Sequence, residues 1–312
     1  MRRVRPAEGA GLGAPQSRQE ALRLPAAALR QLNRLQLSAS RYLPGEAAGQ
    51  RASLRRRPAY DFREHRAYVP GDDLRFVDWK ASARQEHVFV RQGEYPKQAT
   101  VYLLLDGSRS MVWGEPPKYL AALQLAAALG LAALSQSDRL VVQPLGAPEG
   151  RPLGPISGKG QMATLLNYLR GLTFDGQAEL GQAVRDFSRR RRGGLVLLLS
   201  DLLELGDLAA VLDLLPAPRW DVVLLHLLHS HELAPELRGD YEMVDIENGR
   251  AANYDVDEGA LKQYQSHLDA WRAGLELTCV EHGAFYSLIP TGWSLAEEIL
   301  PHLRELHILT PL

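Results

Sequence analysis

Three oxygen-bearing side chains follow an apolar run in the segment LLLDGSRSM, residues 103–111. Asp106 ends the run, and Ser108 and Ser110 follow at steps of two. One carboxylate and two hydroxyls so close in sequence offer hard oxygen ligands, which suit Mg²⁺ or Mn²⁺ better than Zn²⁺. The same side chains could instead cap the turn and helix that follow. Spacing alone leaves a metal site and a structural cap both open.

A second apolar run, GLVLLLSD at 194–201, also ends in an aspartate, Asp201. From residue 100 onward, such runs alternate with segments of helical spacing. This alternation predicts an α/β fold with a doubly wound, mostly parallel sheet and helices on both faces. Ligands of such folds bind at the carboxyl ends of the strands, so both aspartates are predicted at one edge of the sheet. We call Asp106, Ser108, Ser110 and Asp201 the strand-end cluster.

The elements that must position this cluster can be read from the apolar pattern. The predicted strands are 100–106, 138–145, 194–201, 220–229, a hairpin at 241–257 with Asn248-Gly249 in its turn, and 284–289. The predicted helices are 117–136, 160–172, 177–192, 205–216, 258–282 and 294–306. Upstream, 18–38 has helical spacing that is interrupted at Pro25.

Composition favours a soluble cytoplasmic protein. The chain has 312 residues, 46% of them hydrophobic, and a single cysteine, which excludes an intramolecular disulfide. No basic start followed by an apolar segment indicates a signal peptide. The longest apolar stretch, 119–134, contains Gln124 and is short for a membrane span, so we expect a buried core helix and no membrane span.

Charge is distributed unevenly along the chain. Residues 1–57 hold 12 of the 36 basic residues with three glutamates, whereas the remainder holds 24 basic and 34 acidic residues. The basic part is either a solvated tail, an arm that lies on its own acidic domain, or a contact for an acidic partner, a membrane surface or nucleic acid. It lacks interleaved aromatic residues, which disfavours nucleic acid. We predict a mobile basic arm at 1–17, an N-terminal extension of helix and short strands at 18–98, and the α/β domain at 99–312.

Other patterns point less clearly to chemistry. GPISGKG at 154–160 lacks the spacing of a Walker loop, and Ser108 lacks the G-x-S-x-G pattern of a hydrolase elbow. His226, His229 and His231 could bind a metal, although strand alternation separates His226 from the other two. In PGDDLRFVDW, Asp72, Asp73 and Asp78 could do acid–base work, but pairing with nearby arginines is favoured, with Trp79 anchoring the segment.

Two family resemblances follow from these segments. LLLDGSRSM resembles the first motif of the von Willebrand factor type A fold, in which it builds a metal-ion-dependent adhesion site, and Asp201 in LLLSDL matches the third loop. FREHRAYVPGDDLRFVDWKASAR followed by VFVRQ closely resembles the bacterial family known as domain of unknown function 58. The C-terminal CVEHGAFYSLIPTGWSLAEEILPHL is similar to the end of that family, so the resemblance covers about residues 25–305.

The resemblance implies a non-catalytic interaction module with Mg²⁺ or Mn²⁺ at the strand-end cluster. It also implies a MoxR-type AAA+ ATPase as partner, with this chain as adaptor or co-chaperone. In the family's second loop a threonine binds the metal, but Ala178 stands at that place in GQAELG and offers no oxygen. We therefore expect weak metal binding, with water, Glu179 or Thr173 as the substitute ligand. The alternatives are a metal-dependent phosphate-ester hydrolase and a scaffold with a degenerate metal site.

Overall fold

The computed structural model describes residues 2–4, 22–37, 64–67, 82, 88–92, 99–146, 150–176, 180–246 and 249–312. The chain divides into two compact units, one of residues 1–42 with 99–312 and the other of residues 43–98. The segment with Asp72, Asp73, Asp78 and Trp79 lies outside the described residues. Its role therefore stays a prediction.

The elements follow the predicted alternation from residue 100 onward. The strands are β1 (Arg2–Val4), β2 (Leu35–Leu37), β3 (Glu64–Ala67), β4 (Phe89–Gln92), β5 (Thr100–Asp106), β6 (Arg139–Leu145), β7 (Leu153–Ile156), β8 (Gly194–Ser200), β9 (Trp220–Leu228), β10 (Gly239–Val244), β11 (Ala251–Val256), β12 (Phe285–Pro290) and β13 (Leu309–Pro311). The helices are α1 (Ala26–Leu32), α2 (Lys118–Ser135), α3 (Met162–Arg170), α4 (Leu180–Arg190), α5 (Leu208–Leu212), α6 (Ser230–Leu233), α7 (Glu258–Glu281) and α8 (Leu300–Glu305).

The larger unit is built on a six-stranded sheet in the order β12-β9-β8-β5-β6-β7. All neighbours in it are parallel except β6 and β7, which are antiparallel. The predicted α/β, doubly wound, mostly parallel fold is therefore confirmed. The edge strand β7 was not predicted, because Gly154 and Pro155 interrupt its apolar pattern.

The order of the strands reverses at β5. This strand is followed along the chain by β6 on one side, whereas the next parallel strand, β8, lies on its other side. Such a reversal opens a crevice at the carboxyl ends of the two central strands, since their connections leave in opposite directions. Asp106 ends β5, and Asp201 follows β8 directly. The two predicted aspartates therefore flank the crevice.

Alternating side chains of the central strands pack into two separate hydrophobic cores, one on each face of the sheet. Leu103 and Leu105 face one core, which includes α2, α3 and α8, while Leu104 and Leu198 face the other, which includes α4, α5 and α7. The helix α2 is apolar on almost all sides and is buried, as expected for a helix without a polar face. By length and composition α2 could also cross a membrane, but 78% of it is buried inside the protein.

Peripheral segments complete the larger unit. The helix α1 begins after Pro25, and β2 pairs antiparallel with β13. The predicted hairpin is confirmed as β10 and β11, with Asn248 outside the described residues. The first strand, β1, pairs parallel with β10. Residues 2–4 of the predicted mobile arm therefore belong to a sheet, while residues 5–17 are outside the described part of the chain and their mobility stays a prediction.

The smaller unit contains a two-stranded antiparallel pairing of β3 with β4. Glu64 is opposite Gln92, and Ala67 is opposite Phe89. This ladder agrees with the short strands expected in the N-terminal extension.

Truncation of the paired central leucines should destabilise the protein strongly. Leu104 lies opposite Leu198 in the β5–β8 register, and both are buried. We expect Leu104→Ala and Leu198→Ala each to lower the free energy of unfolding by about 2–5 kcal/mol. Urea denaturation measures this, with Leu277→Ala as the exposed control. Unchanged midpoints for both core variants would contradict the assignment of β5 and β8 as central strands.

The single cysteine should be unreactive in the folded protein. Burial, assisted by the nearby Glu276 carboxylate, raises the pKa of the Cys279 thiol to about 12. Since the thiolate is the reactive form, we expect a disulfide reagent to modify Cys279 only after denaturation. As the control, Val280→Cys in a Cys279→Ser background places a thiol at an exposed position of the same helix. Equal labelling rates for the two native proteins would show that the α7 packing is wrong.

Candidate functional site

The Asp-x-Ser-x-Ser loop folds into a compact, buried arrangement. Asp106, Ser108 and Ser110 are 2%, 4% and 3% exposed. One carboxylate oxygen of Asp106 accepts a hydrogen bond from the Ser108 N–H at 2.9 Å, and the other accepts from the Ser200 hydroxyl. The hydroxyls of Ser108 and Ser110 are hydrogen-bonded to each other, with their oxygens 2.9 Å apart. The two serines therefore turn their oxygens toward each other beside a buried carboxylate.

The alternative role as a helix cap receives no support for Ser108. This residue precedes the short 3₁₀ turn Arg109–Val112, but its side chain makes no capping hydrogen bond. A capping hydroxyl would instead accept from a backbone N–H of the turn. The Ser108 hydroxyl thus contacts the Ser110 hydroxyl rather than a backbone N–H of the turn, whereas Asp106 does accept from the Ser108 N–H that leads into the turn, as the cap alternative predicts.

The loop of the expected second motif approaches the first loop closely. The Gly176 N–H donates to the Gly107 carbonyl at 2.9 Å, and Ser108 forms a parallel bridge with Gly176. A Cβ at residue 176 would lie 2.3 Å from the Gly146 carbonyl oxygen, so only glycine allows this approach. Ala178 and Glu179 lie outside the described residues, and Thr173 is exposed. The substitute for the missing threonine stays a prediction.

Asp201 lies in the site with an unexpected partner. Its carboxylate is fully buried and is 2.8 Å from the Nζ atom of Lys118. The same ammonium lies 2.6 Å from a carboxylate oxygen of Glu232. Sequence reasoning missed Lys118 and Glu232. The available signal was a single lysine at the start of an otherwise apolar helix, whereas nothing in the sequence connects Glu232 to it.

Lys118 is the first residue of α2, where a positive charge is unfavourable. The amino end of a helix carries a partial positive charge and repels cations. The Lys118 side chain is 1% exposed, so water does not screen this repulsion. Two carboxylates must therefore stabilise the ammonium in place. Burial lowers the pKa of Lys118, but Asp201 and Glu232 outweigh it and raise that pKa above the ordinary value.

The end of β8 supports both aspartates. The Ser200 hydroxyl donates to Asp106 and accepts from the Leu202 N–H at 2.8 Å. The Leu203 N–H donates to the second oxygen of Asp201 at 3.2 Å. Leu202 has a φ of 60°, a conformation that is uncommon for leucine and costs free energy. The backbone is thus strained at Leu202, just after β8 and next to Asp201.

Glu232 connects the site to α6. Its second oxygen accepts from the His229 N–H at 2.7 Å, and the His229 ring accepts from the His231 N–H at 3.2 Å. This reciprocal capping defines the start of α6. Glu232 therefore caps the helix with one oxygen and holds Lys118 with the other.

The histidine metal site that the sequence left possible does not form among the described residues. His226 is buried on β9, where its Nδ1 atom lies 2.7 Å from the Tyr286 hydroxyl. Burial lowers the pKa of His226 to about 4, so its ring is neutral. His229 and His231 lie close together at the start of α6 instead. In the described part of the chain, no three His, Cys, Asp or Glu side chains are placed to hold a metal together.

The electrostatics of the site still favour a cation. Burial, and then repulsion by Asp201, raise the pKa of Asp106 to about 6, against the hydrogen bonds from Ser200 and Ser108. Two carboxylates, Asp201 and Glu232, contact the Lys118 ammonium, and Asp106 lies close enough to Asp201 to be repelled by it, so with Asp106 ionised the site has more negative than positive charge. Adjacent oxygens of an octahedral Mg²⁺ shell lie about 2.9 Å apart, given ligand distances near 2.1 Å. In the structure the two serine oxygens are hydrogen-bonded to each other at a similar separation, so a small divalent cation would have to replace this hydrogen bond; the oxygen donors present are of the type that such a cation prefers.

Fold and site together define an open, doubly wound α/β domain with an oxygen-rich cluster at the reversal of its strand order. A family model described as "Protein of unknown function DUF58" matches residues 64–273, and the chain belongs to this family. The predicted family resemblance is confirmed. Uncharacterized proteins of Mycobacterium tuberculosis (Rv1480) and Mycobacterium bovis (Mb1516) are each 27% identical over 274 residues, which cover 81% of both chains.

Similar solved structures include von Willebrand factor type A domains. BatB of Bacteroides thetaiotaomicron is 14% identical with a TM-score of 0.37, covering 67% of this chain and 98% of its own. The SpRpn10 VWA domain is 10% identical with a TM-score of 0.40, covering 66% and 95%. A von Willebrand factor type A protein of Catenulispora acidiphila is 15% identical with a TM-score of 0.38, covering 71% and 43%. The fold described above rests on the strand order of the chain itself.

Removal of the buried ammonium should destabilise the fold. Lys118→Ala leaves Asp201 and Glu232 without their counter-charge, so we expect a loss of about 3–5 kcal/mol in the free energy of unfolding. The matched control is Lys262→Ala, whose ion pair with Glu258 is solvent-exposed and should contribute less than about 1 kcal/mol. Urea denaturation compares the two variants. Equal small losses would mean that the Lys118 ion pairs are not formed.

Proposed function

We propose that this chain is a non-catalytic interaction module that docks a partner protein through a divalent cation at the strand-end cluster. The observation that carries the proposal is the pair of Ser108 and Ser110 hydroxyls, 2.9 Å apart beside the buried Asp106 carboxylate. Ser108 and Ser110 would supply direct oxygen ligands. Asp106 and Asp201 would supply negative charge and orient coordinated water.

When bound, Mg²⁺ or Mn²⁺ would supply an open coordination position that an acidic side chain of the partner fills. The protein's own contribution is to keep the ligand oxygens fixed. Ser200 and the Ser108 N–H hold Asp106, while Lys118 and the Leu203 N–H hold Asp201. Such fixed oxygens suit a cation that demands near-ideal geometry.

Hydrogen bonds fix the orientation of the carboxylates in the site. Asp106 and Asp201 each accept hydrogen bonds at both carboxylate oxygens. Glu232 is likewise engaged at both oxygens, by Lys118 and the His229 N–H. These contacts stabilise the site without deciding its chemistry, and the interaction module is preferred to a metal-dependent phosphate-ester hydrolase because of the family resemblance of the sequence.

The proposed partner is a MoxR-type AAA+ ATPase in the cytoplasm, with this chain as adaptor or co-chaperone. The support for this partner is the family resemblance of the sequence. The chemistry of the site adds one requirement, namely that the partner presents a carboxylate to the cation. A scaffold whose metal site is degenerate is the second candidate, because Ala178 removes one expected ligand.

Cation titrations should separate these candidates. We expect wild type to bind Mg²⁺ and Mn²⁺ weakly, Asp106→Ala to lose binding, and Ala178→Thr to bind more tightly through an added hydroxyl. Isothermal titration calorimetry measures the three affinities, and Ser188→Ala on the surface of α4 is the control. Equal binding by wild type and Asp106→Ala would overturn the metal site. Tight wild-type binding that Ala178→Thr leaves unchanged would show that the second loop is misaligned.

Partner docking should depend on the same oxygens. We expect a purified, nucleotide-free MoxR-type ATPase to bind wild type in the presence of Mg²⁺, and to lose most of its affinity for Ser108→Ala/Ser110→Ala. EDTA should have the same effect on wild type. A parallel screen of phosphate esters with Mn²⁺ should show no turnover. Turnover that disappears in Asp106→Ala would favour the hydrolase instead.

A further inference from the structure

The strand-end cluster already contains a cation of its own, the ammonium of Lys118. Its Nζ atom lies 2.8 Å from Asp201 and 2.6 Å from Glu232, inside the fold. The Asp201 carboxylate would therefore interact with two cations, this ammonium and any divalent cation beside Ser108 and Ser110. Because both are positively charged, they repel each other and compete for the same carboxylate.

Glu232 gives the ammonium an alternative partner. Because Lys118 pairs with two carboxylates, Asp201 supplies only part of the negative charge that neutralises it. A bound divalent cation would attract the Asp201 carboxylate, and Glu232 would then neutralise more of the Lys118 charge. Lys118 also begins α2 directly after the loop that contains Trp113, whose ring lies 5.9 Å from the ammonium. The lysine is thus fixed by packing as well as by charge.

We infer that Lys118 is a positioning residue that sets the cation affinity of the strand-end cluster and couples it to α6 through Glu232. This inference rests on the proposed function. The ammonium keeps Asp201 oriented, and its charge keeps the affinity for divalent cations low. Glu232 moderates that effect, and the same Glu232 side chain caps α6 through the His229 N–H. Binding of a cation in the site should therefore alter the contacts that Glu232 makes within residues 229–233.

Two variants of this bridge should shift cation affinity in opposite directions. Lys118→Met removes the competing charge at similar length, so the Kd for Mg²⁺ should fall at least tenfold, which corresponds to about 1.4 kcal/mol. Glu232→Gln leaves the ammonium to Asp201 alone and removes one negative charge, so the Kd should rise severalfold. A purely structural lysine would weaken binding in both variants. Isothermal titration calorimetry with Mg²⁺ alone measures the affinities.

Three further proteins make the test specific. Lys118→Arg keeps the charge and should keep the weak wild-type affinity. Lys262→Met removes an exposed lysine of α7 and should change nothing. In the double variant Lys118→Met/Glu232→Gln, the effect of Glu232→Gln should shrink, because Glu232 acts through the lysine. Full additivity of the two changes would overturn the coupling.

The outcomes separate this inference from the proposed function. If wild type binds Mg²⁺ in an Asp106-dependent way but Lys118→Met binds no more tightly, the inference fails and the metal site stands. If neither wild type nor any folded variant binds Mg²⁺, the proposed metal site is wrong, and the inference, which depends on it, is wrong as well. Binding that appears only in Lys118→Met, and is lost with Asp106→Ala, supports the inference. Should Lys118→Met not fold, unchanged or tighter binding by Glu232→Gln overturns it.

Discussion

The buried contact of Lys118 with Asp201 and Glu232 is the constraint on which the site depends. It joins the start of α2, the end of β8 and the short helix α6, three elements far apart in sequence. An ammonium at the amino end of a helix is unfavourable by itself, and buried carboxylates are unfavourable by themselves. Each becomes stable only because the others are present, so the three segments must come together for the crevice to exist in this form.

The sheet provides the frame in which these charges meet. Because β5 and β8 are adjacent and parallel, their carboxyl ends deliver Asp106 and Asp201 to one edge. The reversal of strand order keeps that edge free of connecting helices between the two strands. Leu103 and Leu104 are buried in opposite cores, so helices cover β5 on both faces and hold its carboxyl end in place.

Two properties of the site have opposite effects on its affinity for a divalent cation. The serine hydroxyls and the excess of carboxylates favour a small divalent cation, while the resident ammonium opposes one. In the proposed docking, the cation would bind weakly, and a partner's carboxylate would fill the coordination position that the site leaves open.

The sequence by itself determined the alternation of elements, the two central strands, and the first-loop oxygens of Asp106, Ser108 and Ser110. These features follow from the periodicity of apolar residues and from one motif at a strand end, both of which involve only residues that are close together in the sequence. It also placed Asp201 correctly, since parallel strands end at one edge. The edge strand β7 was missed because Pro155 masks its pattern. Only the tertiary structure decided that Lys118 and Glu232 enter the site. Their contact spans 114 residues of sequence and depends on burial and charge compensation, which no local pattern encodes.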